Sequence, residues 1–152
     1  TGLYNRDGFM EKYATMEVKK SLTYAILDID NFRQVNDKIG HAGVDAALKI
    51  LADTLSAVFE KQAIVGRYGG DEFMVCVYDM DQYEVAALFD KLVKAMDRDL
   101  DYQGKIKHLS ISLGATYVGQ KMPLDVLLKS ADKVLYLVKE QGKNNWNMDI
   151  LE

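Results

Sequence analysis

Only one cysteine, Cys76, occurs in 152 residues, which excludes a disulfide framework and a cysteine-cluster zinc site. A single proline, Pro123, with 11 glycines excludes collagen-like and proline-rich low-complexity chains. No apolar run approaches the roughly 18 residues that a membrane span needs, and no secretory leader is visible. Positive charge is in slight deficit. With 19 Lys and Arg against 23 Asp and Glu, the net charge of −4 argues against a broad electrostatic grip on nucleic acid. An acidic chain can still bind a phosphate compound through a few placed cations, including metal ions held by carboxylates.

What is present suffices for a core. The length fits one domain, and 49% hydrophobic with 28% charged residues is incompatible with disorder. The chain opens on Thr1-Gly2-Leu3 without an initiator methionine. It is therefore expected to be one domain, residues 1–152, excised from a longer protein. No repeat, linker or second domain is visible.

The apolar spacing alternates between the helix period and strand-like runs. Leu3 to about Lys20 reads as a helix with Phe9, Tyr13 and Met16 on one side. Leu22–Ile29 is a nearly continuous apolar run, the mark of a buried strand. A short helix from Asn31 to about Lys38 should stop at Gly40, and Val44–Phe59 should form a strong helix. Ala63–Tyr68 and Glu72–Tyr78 flank Gly69-Gly70, a hairpin signal. A helix follows from Asp81 to about Asp99, then a strand from His108 to Thr116. Pro123 opens a last helix that stops at Gly142, and Trp146–Ile150 reads as an edge strand. The central hairpin argues against an all-parallel sheet. It favours an α+β fold, with antiparallel strands and helices over one face, and more helix than strand.

Asp28-Ile29-Asp30-Asn31 ends the buried strand with two carboxylates that point to the same face. Buried carboxylates need compensation. Asp30 can act as N-cap of the next helix. Asp28 sits too far back in the strand for that, and a hard cation explains it better. The second segment is Arg67-Tyr68-Gly69-Gly70-Asp71-Glu72-Phe73, two acids at a glycine turn. Alone it reads as a solvated turn. If the strand ending at Asp28 lies beside the hairpin, Asp28 and Asp71 converge on one point. Together with substrate phosphates and water, such a pair suits Mg²⁺. The glycines would let a substrate approach the backbone closely.

Gly69-Gly70-Asp71-Glu72-Phe73 resembles the signature of the GGDEF domain, the diguanylate cyclase family. Thr1-Gly2-Leu3-Tyr4-Asn5-Arg6 is similar to that family's opening motif, and Asp28–Arg33, Asn36-Asp37 and Gly40-His41 to its first strand and following loop. Ser110–Gly114 resembles its later strand. Ala131-Asp132, Leu135-Tyr136 and Lys139–Asn144 resemble its last helix. The blocks keep order and spacing over nearly the whole chain.

The resemblance implies a palm-like nucleotidyl cyclase fold, with helices packed around an antiparallel-containing sheet. It also implies a reaction that joins two GTP molecules into cyclic di-GMP and releases two pyrophosphates. Asp28 and Asp71 would hold Mg²⁺, or Mn²⁺ in its place, with the carbonyl of Ile29. Glu72 would either assist the metal or accept the hydroxyl proton. Asn36 and Asp45 fall where the family reads guanine. From the residues alone they read instead as a turn residue and an acid in a helix first turn. Lys139 and Lys143 fall near the triphosphate, although lysines near a helix C-terminus also simply favour the dipole. The amides of Phe32 and Arg33 would receive phosphate oxygens, and Gly70 belongs to the same substrate surface. His41 and Cys76 read as structural.

The chain departs from the family pattern at four places. Val44 stands where the glycine before the guanine-reading acid is usual, Arg33 replaces a lysine, and Lys143 replaces an arginine. The fourth is the product-binding Arg-x-x-Asp motif, which corresponds here to Glu60-Lys61-Gln62-Ala63, so no product-inhibition site is expected. Expected partners are GTP, a second GGDEF domain for turnover and a sensor or regulatory domain, with no nucleic acid. The expected location is cytoplasmic, with a membrane tether only through preceding sequence. The alternative is a catalytically weak domain that binds GTP or a related nucleotide and regulates a partner domain.

Overall fold

The computed structural model describes residues 3–151, so Thr1 and Gly2 of the opening motif lie outside the described residues. Its elements are α1 (Arg6–Thr15), β1 (Leu22–Ile29), α2 (Phe32–Val58), β2 (Ala63–Gly69), β3 (Glu72–Tyr78), α3 (Gln82–Met96), β4 (Arg98–Tyr102), β5 (Lys105–Leu109), β6 (Ile111–Val118), α4 (Leu124–Glu140) and β7 (Asn145–Leu151). The five-stranded sheet has the order β2-β3-β1-β6-β7. β1 pairs antiparallel with β3 and β6, β2 pairs antiparallel with β3, and β7 pairs parallel with β6.

All eight residues of β1 are buried, so both of its faces need cover. Ala25, Leu27 and Ile29 enter one core with Leu48, Leu51 and Leu55 of α2 and Phe89 and Leu92 of α3. Tyr24 and Ile26 enter a second core with Phe9 and Tyr13 of α1 and Leu127, Ala131 and Leu135 of α4. Helices over one face is therefore corrected to helices over both. Helical residues outnumber strand residues, as expected.

Several boundaries move for physical reasons. α1 begins only after Asn5, whose side chain accepts from the amide of Gly8, and it ends at Thr15. The two expected helices around Gly40 are one unit, Phe32–Val58, broken at Gly40 with φ 76° and ψ 176°. α3 stops at Met96, and residues 98–109 form a separate two-stranded hairpin. His108 belongs to that hairpin, so the central strand starts at Ile111 instead. Of its strand residues only Leu100 and Leu109 are buried, which leaves no alternation to read.

The hairpin apex also shifts by one residue. Gly69 pairs with Glu72 and Arg67 with Phe73, leaving Tyr68 as the bulge. Gly70 and Asp71 make the turn, and Gly70 takes a left-handed φ of 51°. The outer edge of β2 is covered by Tyr4, which donates to Val65 and accepts from Arg67, both at 2.9 Å.

Gly114 of β6 lets α4 lie directly against the sheet. A Cβ there would meet the Leu135 nitrogen at 2.2 Å and the Ala131 oxygen at 2.5 Å, both backbone atoms that cannot rotate away. Gly114→Ala is expected to cost about 3 kcal/mol by overpacking, which for a chain of this size lowers Tm by roughly 10 °C. A Cβ on Gly119 meets nothing within 4 Å. Gly119→Ala should therefore stay within about 0.5 kcal/mol of wild type in the same melts. Equal Tm values for the two variants would contradict this account of the contact.

Candidate active site

Three antiparallel neighbours bring the site together. Asp28 is the seventh residue of β1, with Glu72 of β3 as its partner on one side and Ser112 of β6 on the other. Asp71 follows at the turn. Its charge reaches both Asp28 and Glu72 and pushes both pKa values up. α4, pressed close at Gly114, brings Lys139 over the strand end, where its Nζ donates to Asp28 Oδ2 at 2.6 Å. The structure thus gathers Asp28, Asp71, Glu72 and Lys139.

The electrostatics are unbalanced. Asp28 is only 6% exposed, and its Oδ1 is buried without a hydrogen-bond partner. Burial raises its pKa most, Lys139 works against that, and Asp71 and Asp30 add to the rise. Glu72 is raised by partial burial first, then by Asp28, Asp71 and Asp132. For Lys139, burial pulls the pKa down, but the hydrogen bond to Asp28 and the fields of Asp28, Asp71 and Glu72 together lift it above its ordinary value. One ammonium serves three carboxylates. The lysine has partners in surplus and Asp28 is short of one.

Asp30 has the opposite environment, and its expected role as N-cap is corrected. Asn31 holds the cap position with φ 54° and makes no side-chain cap. Asp30 instead accepts from Ser110 Oγ at 2.6 Å, Ser112 Oγ at 2.5 Å and the amide of Asn144 at 2.9 Å. Sequence reading missed these ties because the partners lie 80 or more residues away, and Ser110 and Ser112 stood out only as family matches.

The uncapped start of α2 leaves its first amides, at Phe32 and Arg33, without side-chain acceptors. Lys143 reaches the same corner, where its Nζ donates to Asn31 Oδ1 at 2.6 Å. Arg33 is exposed. Asn36 is half-buried, and its Oδ1 is buried without a partner. Asp45 is exposed and lines a cleft of about 320 Å³ with Lys49, Arg67 and Phe73; Asn36 is not among the lining residues. Val44 is 5% exposed in the core between α2 and the sheet, so its branched side chain does not line that cleft. Arg67 donates to the Gly70 carbonyl from Nε at 3.0 Å and from its terminal guanidinium nitrogen at 2.5 Å, a fixing of the turn that its place before the glycines alone could have suggested. Cys76 is buried and free, with burial pushing its thiol up, as suits a structural residue. His41 is exposed.

Among the described residues, no group of three or more His, Cys, Asp or Glu side chains forms a ready cage for a metal. Mg²⁺ needs none, because it is usually held by one or two carboxylates together with substrate phosphates and water. The buried Asp28 Oδ1 without a partner, beside Asp71, fits such an ion.

The profile described as "Diguanylate cyclase, GGDEF domain" matches residues 1–145. The chain is 30% identical over 152 residues to a probable diguanylate cyclase, DgcF, of Escherichia coli K12, covering 95% of this chain and 48% of that protein. It is also 30% identical to the cyclic di-GMP phosphodiesterase NbdA of Pseudomonas aeruginosa, covering 95% of this chain and 19% of that protein. The chain therefore spans less than half the length of these two relatives. The fold matches the GGDEF domain of DgcB from Caulobacter crescentus, solved in complex with c-di-GMP, at TM-score 0.85 and 24% identity, over 97% of this chain and 92% of that one.

The contrast between the two aspartates is open to a melting test in metal- and nucleotide-free protein. Asp30→Ala strands two hydroxyls and an amide and is expected to cost about 3 kcal/mol or more. Asp28→Asn removes a poorly compensated charge and should melt no lower than wild type. Folding raises the Asp28 pKa, so the folded chain takes up a proton there. The resulting penalty is present above the folded pKa and fades as pH falls towards the unfolded value. Any advantage of Asp28→Asn should therefore shrink as pH is lowered into the carboxylate range. A large loss of Tm in Asp28→Asn at neutral pH would contradict the imbalance.

Proposed function

The chain belongs to the GGDEF diguanylate cyclase family, and from that premise we propose that it condenses two GTP molecules into cyclic di-GMP with release of two pyrophosphates. The observation that carries the proposal is the buried, half-satisfied carboxylate of Asp28, set among Glu72, Asp71 and a single ammonium. A fold does not need such an arrangement, whereas a site for a divalent ion and a triphosphate does.

The ribose 3′-hydroxyl of one GTP attacks the α-phosphorus of the other. A new P–O bond forms, the bond to the β-phosphate oxygen breaks, and pyrophosphate leaves. Asp28, Asp71 and the Ile29 carbonyl would hold Mg²⁺ or Mn²⁺. When bound, the ion would neutralise phosphate charge and favour ionisation of the attacking hydroxyl. Glu72, with its pKa raised by burial and neighbouring acids, is suited to take the hydroxyl proton. Lys139, Lys143 and the amides of Phe32 and Arg33 receive phosphate oxygens. Gly70, whose added Cβ would meet nothing within 4 Å, borders open space where a substrate can lie against the backbone.

Asn36 and Asp45 take the guanine edge. Asn36 Oδ1 is a buried acceptor in want of a donor, and guanine N1 and N2 supply donors that adenine lacks. Each domain offers one half-site, so turnover requires two domains facing each other. We take the chain as a single such domain of a longer signalling protein that also carries a sensor or regulatory part. No described helix is long and apolar enough to cross a membrane. We place the domain in the cytoplasm, where its nucleotide substrate is made.

A second reading has one observation behind it: the chain is equally 30% identical to NbdA, a protein named as a phosphodiesterase. In that reading the domain binds GTP without turnover and acts on a partner domain.

Concentrated protein incubated with GTP and Mg²⁺ should yield cyclic di-GMP by mass spectrometry, and Asp71→Ala should lower the yield by at least about 100-fold, the scale on which removal of one charge-stabilising group acts. GTP binding with no product would favour the second reading. Asp45→Ala should erode the preference for GTP over ATP, and an unchanged preference would remove Asp45 from the guanine site. Glu60-Lys61-Gln62-Ala63 lacks an arginine and carboxylate at the expected spacing, and Gln62 is tied to the carbonyls of Tyr78 and Asp79 at 3.0 and 2.9 Å. Added cyclic di-GMP should therefore leave the initial rate unchanged.

A further inference from the structure

The last strand runs against its own propensities. β7 reads Asn145-Trp146-Asn147-Met148-Asp149-Ile150-Leu151, with an asparagine or aspartate at three alternate places. Such residues are depleted from strands, and all three are exposed, so packing does not call for them. Their side chains are bonded to the strand's own backbone. Asn145 Oδ1 accepts from the amide of Trp146 at 2.8 Å, Asn147 Oδ1 from that of Met148 at 2.8 Å, and Asp149 Oδ1 from that of Ile150 at 3.0 Å. β7 ends the sheet order, and among the described residues β6 is its only strand partner. Successive amides of a strand point to opposite edges, so every second amide of β7 faces away from β6. The amides at 146, 148 and 150 have that spacing. A side-chain oxygen can fold onto such an amide only where no neighbouring strand stands, which places these three on the open edge.

We infer that Asn145, Asn147 and Asp149 close the β7 edge to a strand from a second copy of this chain: each occupies an outward amide that the incoming strand would need. An unpaired strand edge is a template for such pairing, and the surroundings of this one invite it. β7 is seven residues long and has one charged side chain, Asp149. Ile150 is exposed, and the cleft between β7 and α4 is lined by the exposed apolar side chains of Leu137 and Val126. The opposite edge of the sheet is closed by other means, through the backbone of Tyr4 along β2. Both edges are thus taken, one by main chain and one by side chains. Two copies must then meet through other surfaces. The inference does not depend on the proposed reaction, although edge pairing would compete with any arrangement in which two half-sites face each other.

The test replaces all three side chains with threonine, which stays polar, favours strands and carries no oxygen at the δ position. In sedimentation velocity on nucleotide-free protein, Asn145→Thr/Asn147→Thr/Asp149→Thr should self-associate at concentrations about tenfold or more below those of wild type, on the strength of the backbone bonds it gains. Infrared spectra of the associated protein should show intermolecular strand pairing. Asp149→Asn keeps the oxygen and loses the charge, so it should behave as wild type. Association of that single variant to the same degree as the triple one would assign the protection to charge and overturn the inference. Hydrogen exchange reads the bonds directly and does not need the triple variant to fold. In Asn147→Thr the Met148 amide should exchange several-fold faster, after correction for intrinsic rates, while the Trp146 and Ile150 amides keep their protection. An unchanged Met148 amide, or a folded triple variant that associates no more than wild type, would overturn the inference.

Discussion

The site depends on one ion pair that is good for the lysine and insufficient for the aspartate. Lys139 crosses from α4 to a carboxylate at the end of the most buried strand, and it satisfies one oxygen of two. Taking a carboxylate out of water costs several kcal/mol even when it is paired. An apolar residue at position 28 would extend the run Leu22–Leu27 and pack without penalty. The negative field at the strand end is therefore a cost that the two cores must cover. In the proposed reaction a divalent ion would reverse the sign of that cost, because the excess of carboxylate over ammonium would attract it.

The position of this pair follows from the layering. β1 is central and antiparallel to both neighbours, so its end lies beside the start of β3 and the start of β6. Gly114 allows α4 to settle onto the sheet, which brings Lys139 within reach. Much of this was legible in the sequence. The nearly continuous apolar run of β1 marked a buried strand, although helices were expected over one face only. Periodic leucines marked α4, and the glycines marked the hairpin. The β4–β5 hairpin was not legible because its strands are charged and bury only Leu100 and Leu109. The true apex, Gly70-Asp71, was hidden by the bulge at Tyr68, since a bulge is a property of pairing between strands and not of either strand alone.

The site was legible to a different degree. That Asp28 needed a cation could be argued from burial alone. Its direct cross-strand neighbour is Glu72, with Asp71 one step further at the turn, an order set by the β1–β3 register. The readings of Asn36 and Asp45 came from family likeness. The structure adds a stranded acceptor on Asn36 and an open cleft at Asp45, two facts that no spacing rule contains. Val44, a departure from the family pattern, faces the core, so its branching is absorbed by packing there while Asp45 is exposed.

Asp28 and Asp30 show how one short segment divides two tasks. Two residues apart, they differ in what surrounds them. Asp30 receives a hydroxyl from Ser112 of β6, a second from Ser110 just before that strand and the amide of Asn144 just before β7, which ties three parts of the chain together. Asp28 receives one ammonium and keeps an oxygen free. The satisfied member fixes the frame, and in the proposed reaction the unsatisfied one would face the metal ion. Because Asp30 also accepts from Asn144, the fixed frame extends to the turn that bears Lys143. Asp30 thus registers the turn that bears Lys143 against the acidic end of β1.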